Sequence, residues 1–130
     1  MTDSRVAGLD HLVLHVSDGA AASAFYRDVL GAHVEELPYG RLRFRISDAV
    51  LNVHQPGSTP HPRAARPGGP GSGDLCFAFA GSAEEALAHL AARGVEAIEG
   101  PVERDGARGI GRSVYFRDPD GTLLELISYD

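Results

Sequence analysis

Leu9-Asp10-His11-Leu12-Val13-Leu14-His15-Val16 alternates along its length. His11, Val13 and His15 fall on one side and Leu12, Leu14 and Val16 on the other, the period of two that marks a strand. If the aliphatic side packs against a helix, the two histidines share the opposite face. A helix follows at once. Ser17-Asp18 offers N-caps, Ala20 to Leu30 carries Ala21, Ala24, Phe25 and Val29 or Leu30 at helical spacing, and Gly31 can close it. Three short strands are predicted next, His33 to Leu37, Arg41 to Ile46 and Ala49 to His54. Pro38-Tyr39-Gly40 and Ser47-Asp48 supply the turns.

The same order then recurs. Asp74-Leu75-Cys76-Phe77-Ala78-Phe79 opens a strand, and Ser82-Ala83-Glu84-Glu85 has the Ser-x-x-Glu form of a capping box. Ala86, Leu87, Leu90 and Ala91 make an apolar stripe that Arg93-Gly94 ends. Val95 to Glu99 is predicted as a strand and Gly100 to Gly111 as a polar loop. Ser113 to Arg117 and Thr122 to Ser128 are predicted as a hairpin through Asp118-Pro119-Asp120-Gly121. Two copies of one β-α-β-β-β module predict a pseudo-symmetric α+β fold. Module one spans about 8–55, a linker 56–73 and module two about 74–129, all within one domain, 1–130. The linker holds five Pro and five Gly in 18 positions, too many for a strand or helix. Arg63 and Arg66 lie inside it. Exposed arginines usually serve solvation, but one on a loop beside a pocket can clamp an anion.

Bulk composition narrows the class. A chain of 130 residues suits one domain. With 43% apolar and 23% charged residues it has the balance of a globular protein. A net charge of −6 argues against a nucleic-acid partner. Cys76 is the single cysteine, so no intrachain disulfide forms, which fits a reducing compartment. Met1 to Gly8 has no targeting pattern and no run of about 18 apolar residues occurs. A cytoplasmic protein without a membrane span is expected.

A carboxylate inside an apolar strand needs an explanation. Glu125 is flanked by Leu123, Leu124, Leu126 and Ile127. Buried and unpaired it would cost several kcal/mol, so it calls for a cation, a metal or strong donors. An ion pair with Arg112 or Arg117 is the bland explanation. Asn52 and His54 share a face by parity, so the residues available to a metal are His11, Asn52 or His54, Asp74 or Cys76, and Glu125. Two imidazoles and a carboxylate suit Fe(II), Mn, Co, Ni or Zn and leave positions open for substrate. His15 or Tyr115 could move a proton, although packing is the commoner role for a strand histidine or tyrosine. Cys76 is expected to be buried and unreactive, with no cation nearby in sequence to activate it.

Leu9-Asp10-His11-Leu12-Val13-Leu14, Ala24-Phe25-Tyr26-Arg27-Asp28-Val29-Leu30-Gly31, Phe116-Arg117-Asp118-Pro119-Asp120-Gly121 and Leu124-Glu125-Leu126 together resemble the vicinal oxygen chelate superfamily. That group takes in glyoxalase I, extradiol dioxygenases, fosfomycin-resistance thiol transferases and bleomycin-resistance proteins. The resemblance covers about residues 8–129. The Asn52-x-His54 strand end and the Asp74-Leu75-Cys76 strand are most similar to its small glyoxalase-domain-containing, virulence-protein-like group. The resemblance implies paired β-α-β-β-β modules forming a curved mixed sheet around a metal cup, with the helices outside and with His11 and Glu125 as ligands. It also implies departures. Asp74, Leu75 or Cys76 stands where a module-two histidine is usual, and Asn52 stands where glyoxalases carry a carboxylate. His54, one pleat further on, either replaces the missing histidine or lines the pocket.

The expected ligand set is therefore His11, His54 and Glu125, holding a divalent metal for a small substrate that chelates it through adjacent oxygens. The expected reaction is that of a lyase, an isomerase or a ring-cleaving dioxygenase. The alternative is a metal-free protein that sequesters a small molecule, as bleomycin-resistance proteins do. A homodimer is expected, because an open sheet has edges to cover. The two halves of a site then come from one chain or from both.

Overall fold

In a computed structural model, which describes residues 5–130, the chain builds the module twice. Module one runs β1 (Leu12–His15), α1 (Gly19–Leu30), β2 (His33–Leu37), β3 (Arg41–Ile46) and β4 (Ala49–His54). Module two runs β5 (Asp74–Ala78), α2 (Ala83–Ala92), β6 (Glu99–Gly106), β7 (Gly109–Arg117) and β8 (Leu123–Ser128). Each set of strands forms a four-stranded mixed sheet, in the order β1-β4-β3-β2 and β5-β8-β7-β6. The first strand of each module pairs in parallel with the last, and the remaining pairs are antiparallel. The first four residues of the N-terminal segment read above for a targeting pattern lie outside the described residues. Among the described residues no helix is long and apolar enough to cross a membrane.

Local chemistry explains the helix ends. The Asp18 carboxylate accepts from the Ala20 and Ala21 amides, and Gly31 closes α1 at φ 68°, where a side chain would be strained. Ser82 and Glu85 form the reciprocal capping box of α2. The buried stripe of α1 is Ala22, Ser23, Tyr26 and Val29 rather than the one built on Ala21 and Ala24, which are exposed. Alanines at 20, 21, 22 and 24 give the helix no rotational preference, so the large Tyr26 sets it.

One segment differs from its expectation. Gly100 to Gly111 is not a loop, and the strand placed at Val95 to Glu99 begins only at Glu99. Residues 99–106 form β6, which turns at Ala107-Arg108 into β7. Glu103, Arg104 and Asp105 disguise this strand. It is the sheet's outer edge, where both faces meet water and no apolar alternation is required.

The backs of both sheets and both helices share one apolar cluster, with Leu14, Val16, Tyr26, Phe44, Leu51, Leu90, Val114, Phe116 and Leu124 all at most 2% exposed. Tyr26 stacks on Phe44 at 5.1 Å. Its hydroxyl crosses to module two and donates to Asp118 Oδ2 at 2.7 Å. Burial, and then the Asp118 charge, push the phenol's pKa far up, so it remains a donor. Asp118 Oδ1 accepts from the Asp120 and Thr122 amides at 2.9 and 3.0 Å, which holds the turn between β7 and β8. His89 Nε2 donates to the Val29 carbonyl at 2.7 Å, and Arg93 Nε donates to that of Asp28 at 3.1 Å. These two bonds join α2 to α1.

Tyr26→Phe leaves a buried carboxylate oxygen without its donor, and a loss of about 1–3 kcal/mol is expected in urea unfolding. Asp118→Ala removes the turn bonds as well and is expected to lose more than Tyr26→Phe; an equal loss would show that the turn does not depend on the carboxylate. Ser82→Ala, which opens the capping box alone, is expected to cost about 1 kcal/mol in the same measurement.

Candidate metal centre

Because one face of each sheet is buried against a helix, the alternate residues face outwards. On module one these include Val13, His15, Arg43, Asn52 and His54; on module two they include Cys76, Ser113, Tyr115 and Glu125. The registers His15↔His54, Arg43↔Asn52, Cys76↔Glu125 and Tyr115↔Glu125 set them side by side.

Glu125 has no arginine. Arg112 makes a two-pronged ion pair with Glu84 instead, and Arg117 donates to the Gly121 carbonyl at 3.0 Å. The Glu125 carboxylate accepts one short bond, from Ser113 Oγ at 2.5 Å. Cys76 and Tyr115 flank it on the neighbouring strands. Both side chains register its charge. Partial burial, then the Glu125 carboxylate, push the Cys76 thiol up to about 12. Tyr115 is also raised, chiefly by desolvation, with the Arg104 hydrogen bond opposing and Glu125 adding. Arg104 Nε donates to the Tyr115 hydroxyl at 2.9 Å, and its Nη2 pairs with Glu99 at 2.9 Å. The expectation of a buried Cys76 does not hold: the side chain is exposed, because β5 is the sheet's edge strand and Cys76 faces away from α2. Although the residue is exposed, partial desolvation of the thiol and the Glu125 charge raise its pKa, which disfavours the reactive thiolate.

His11 lies just before β1, and its Nδ1 is hydrogen-bonded to Asp10 Oδ2 at 2.8 Å. An imidazole that donates through Nδ1 to a carboxylate presents Nε2 as its free lone pair, the arrangement common among metal ligands. His54 stands beside His15 at the far end of β1, ring centroids 5.4 Å apart and edge to face. Burial first and His15 second lower the pKa of His54, which favours the neutral, ligating form. Asn52 is occupied, accepting from Arg43 Nε at 3.2 Å.

The three expected ligands lie apart. His11 and Cys76 line one small cleft, of about 140 Å³, between the start of β1 and β5, and Cys76 adjoins Glu125. His54 is level with His15, four residues and so about 13 Å further along the strand than His11. Among the described residues, no three His, Cys, Asp or Glu side chains of one chain converge closely enough to hold an ion. By chemistry the donors fit a divalent metal: an oriented imidazole, a neutral one, and a carboxylate with no cation. By position they do not converge.

Sequence reasoning missed Ser113, Arg104 and Glu99. Ser113 was within reach: once the Asp-Pro-Asp-Gly turn pairs Arg117 with Leu123, Tyr115 falls opposite Glu125 and Ser113 diagonal to it. Arg104 was not, because its stretch reads as a loop, and Glu99, at the end of a predicted strand, could not be matched to it.

The family model for the Glyoxalase/Bleomycin resistance protein/Dioxygenase superfamily matches residues 8–126. Virulence protein STM3117 of Salmonella typhimurium is 40% identical over 121 residues, 93% of this chain and 83% of that protein. Its crystal structure superposes with a TM-score of 0.87, covering 95% of this chain and 97% of the other. Glyoxalase domain-containing protein RDO1 of Mycosarcoma maydis is 42% identical over 124 residues, 95% of this chain and 69% of that protein. A variant of the fosfomycin resistance protein FosX of Listeria monocytogenes, complexed with Mn(II) and 1S,2S-dihydroxypropylphosphonic acid, is 26% identical with a TM-score of 0.63, over 94% of this chain and 90% of the other. With its tandem modules and a family match spanning nearly its whole length, the chain belongs to the glyoxalase/bleomycin resistance protein/dioxygenase superfamily.

Proposed function

We propose that this protein is a metal-dependent enzyme of the glyoxalase/dioxygenase type, acting as a lyase, an isomerase or a ring-cleaving dioxygenase on a small substrate with adjacent oxygens. The observation that carries the reading is Glu125: a carboxylate on an open sheet face, flanked by a thiol and a phenol whose pKa values are raised by desolvation first and by its charge second, hydrogen-bonded by Ser113 and, among the described residues, left without an arginine. A divalent cation supplies the missing charge. His11, through Nε2, and His54, in its neutral form, complete the ligand set with Glu125. FosX, with its Mn(II) and small oxygen-rich ligand, supports the same use of the fold.

Since no metal-holding group converges among the described residues of one chain, the reading includes a homodimer, with the half-sites of two copies facing each other. The exposed Leu9, Leu12 and Val13 around the edge strand β1 offer it apolar surface. When bound, a divalent metal chelates the substrate's two oxygens and stabilises negative charge developing on them. The chain's own groups do the rest. Ser113 orients Glu125. Arg104 orients the Tyr115 hydroxyl, whose raised pKa keeps it a hydrogen-bond donor towards a substrate oxygen beside Glu125. His15 is placed to take or return a proton at the other end of the face. A lone thiol and no disulfide suit a cytoplasmic setting.

A second reading, a metal-free protein that sequesters a small molecule, is favoured by Asp74 and Cys76 standing where the superfamily usually has a module-two histidine.

Elemental analysis separates the two. Near-stoichiometric Fe, Mn, Co, Ni or Zn is expected per chain after reconstitution, falling at least tenfold in Glu125→Ala, His11→Ala and His54→Ala. No metal in the wild type under any of these conditions would leave the sequestering protein. Retention by His54→Ala alone would remove that residue from the ligand set. The Glu125–Cys76 contact is tested by alkylation of chelator-treated protein. Iodoacetamide is expected to react slowly up to about pH 9, because the thiol is raised to about 12. Glu125→Gln, which removes the neighbouring charge, is expected to lower that pKa and speed the reaction at any given pH; an unchanged rate would mean that the two groups do not interact.

A further inference from the structure

A larger cleft, of about 420 Å³, opens where the 56–73 segment folds back over module one. Val13, His15 and His54 form its floor, and Ser58 and Arg63 contribute its wall. The chain carries 18 acidic against 12 basic residues, yet among the described residues no Asp or Glu lines this cleft. An adjoining cleft of about 430 Å³ shares His54 and Ser58 and adds Arg41, Arg43 and His61, again without a carboxylate. Two of these arginines are engaged. Arg43 binds Asn52 and lies 3.9 Å from Glu35, and Arg41 donates to the Pro38 carbonyl at 3.1 Å. Arg63 makes no hydrogen bond or ion pair among the described residues.

The span that carries Arg63 is tied at both ends. Gln55 Nε2 donates to the Gly40 carbonyl at 2.9 Å, and the Ser58 amide donates back to the Gln55 carbonyl at 3.1 Å. At the other end the Ser72 amide closes a turn on Gly69 at 3.1 Å, and the Leu123 amide binds the Gly73 carbonyl at 3.1 Å. Gly68 lies so close to the imidazole of His15 that a Cβ there would sit 3.1 Å from Cδ2. A free guanidinium thus lines the same cleft as two imidazoles, in a region without acidic side chains. Such a grouping attracts an oxyanion, and a guanidinium binds one through paired N–H donors.

We propose that Arg63 binds the anionic group of the substrate, so that the substrate is a small organic anion carrying a carboxylate or a phosphonate-type oxyanion. The proposal rests on the function proposed above for taking this cleft as the substrate's, but anion binding itself is measured without metal. Chelator-treated protein is titrated with methylphosphonate and, separately, acetate, following the ring-proton shifts of His15 and His54. Saturable binding is expected for at least one of the two, and the tighter one names the oxyanion. Arg63→Ala is expected to weaken it about tenfold or more, Arg63→Lys less, and Arg66→Ala not at all. Absence of saturable binding in the wild type, equal affinity in Arg63→Ala, or an equal loss in Arg66→Ala would overturn the proposal. Metal content of Arg63→Ala, read by elemental analysis, is expected to match the wild type. Arg63-dependent anion binding in a protein that never takes up metal would defeat the enzyme reading and leave this proposal standing.

Discussion

Asp118 is the residue on which most of this structure depends. One of its carboxylate oxygens takes the Tyr26 phenol from the other module, and the second takes two amides of its own turn. The first contact locks the rotation of α1 and joins the two halves of the core. The other contacts shape the turn that starts β8 opposite Arg117, and this register puts Tyr115 and Ser113 around Glu125. A buried carboxylate is costly unless its oxygens are satisfied. Here three donors satisfy it, and the same bonds order both the core and the candidate site.

With the helices occupying the backs of the sheets, the open faces are free to hold polar groups, and they divide by charge. Module two's face centres on Glu125; Arg112 lies on the other face of β7, where it pairs with Glu84 at the head of α2. The side chains around it respond in the same sense, with a thiol and a phenol both kept protonated. The 56–73 cleft over module one has the opposite character: imidazoles and a guanidinium, without acidic lining. A substrate with adjacent oxygens and an anionic end would satisfy both surfaces at once. This complementarity ties the proposed chemistry to the proposed specificity.

Much of this was legible in the chain. Period-two alternation around His11 and Glu125, the Ser82–Glu85 capping box, Gly31 and the Asp-Pro-Asp-Gly turn are local signals, and local geometry answers to them. The apolar environment of Glu125 marked it as a candidate site residue from its neighbours alone. Three readings were beyond local signals. The edge strand β6 looks like a loop because, with both faces wet, polarity carries no pattern. The face of α1 was misplaced because alanines do not distinguish its sides. Cys76 was expected to be buried because its strand opens an apolar run, but an edge strand covers one face only.

The sequence by itself therefore determined the repeat, the order of elements, the superfamily and the residues with unusual chemistry, since these depend on spacing and side-chain type along a few consecutive residues. Tertiary structure decided who meets whom. Glu125 finds Ser113 and not an arginine, His54 finds His15 and not His11, and Arg63 comes to line one cleft with that imidazole pair of β1 and β4. Those pairings join residues far apart in the chain. They follow from strand register, from the packing of α1 on module two and from the path of the 56–73 segment, and none of these is written in the residues on either side of a site.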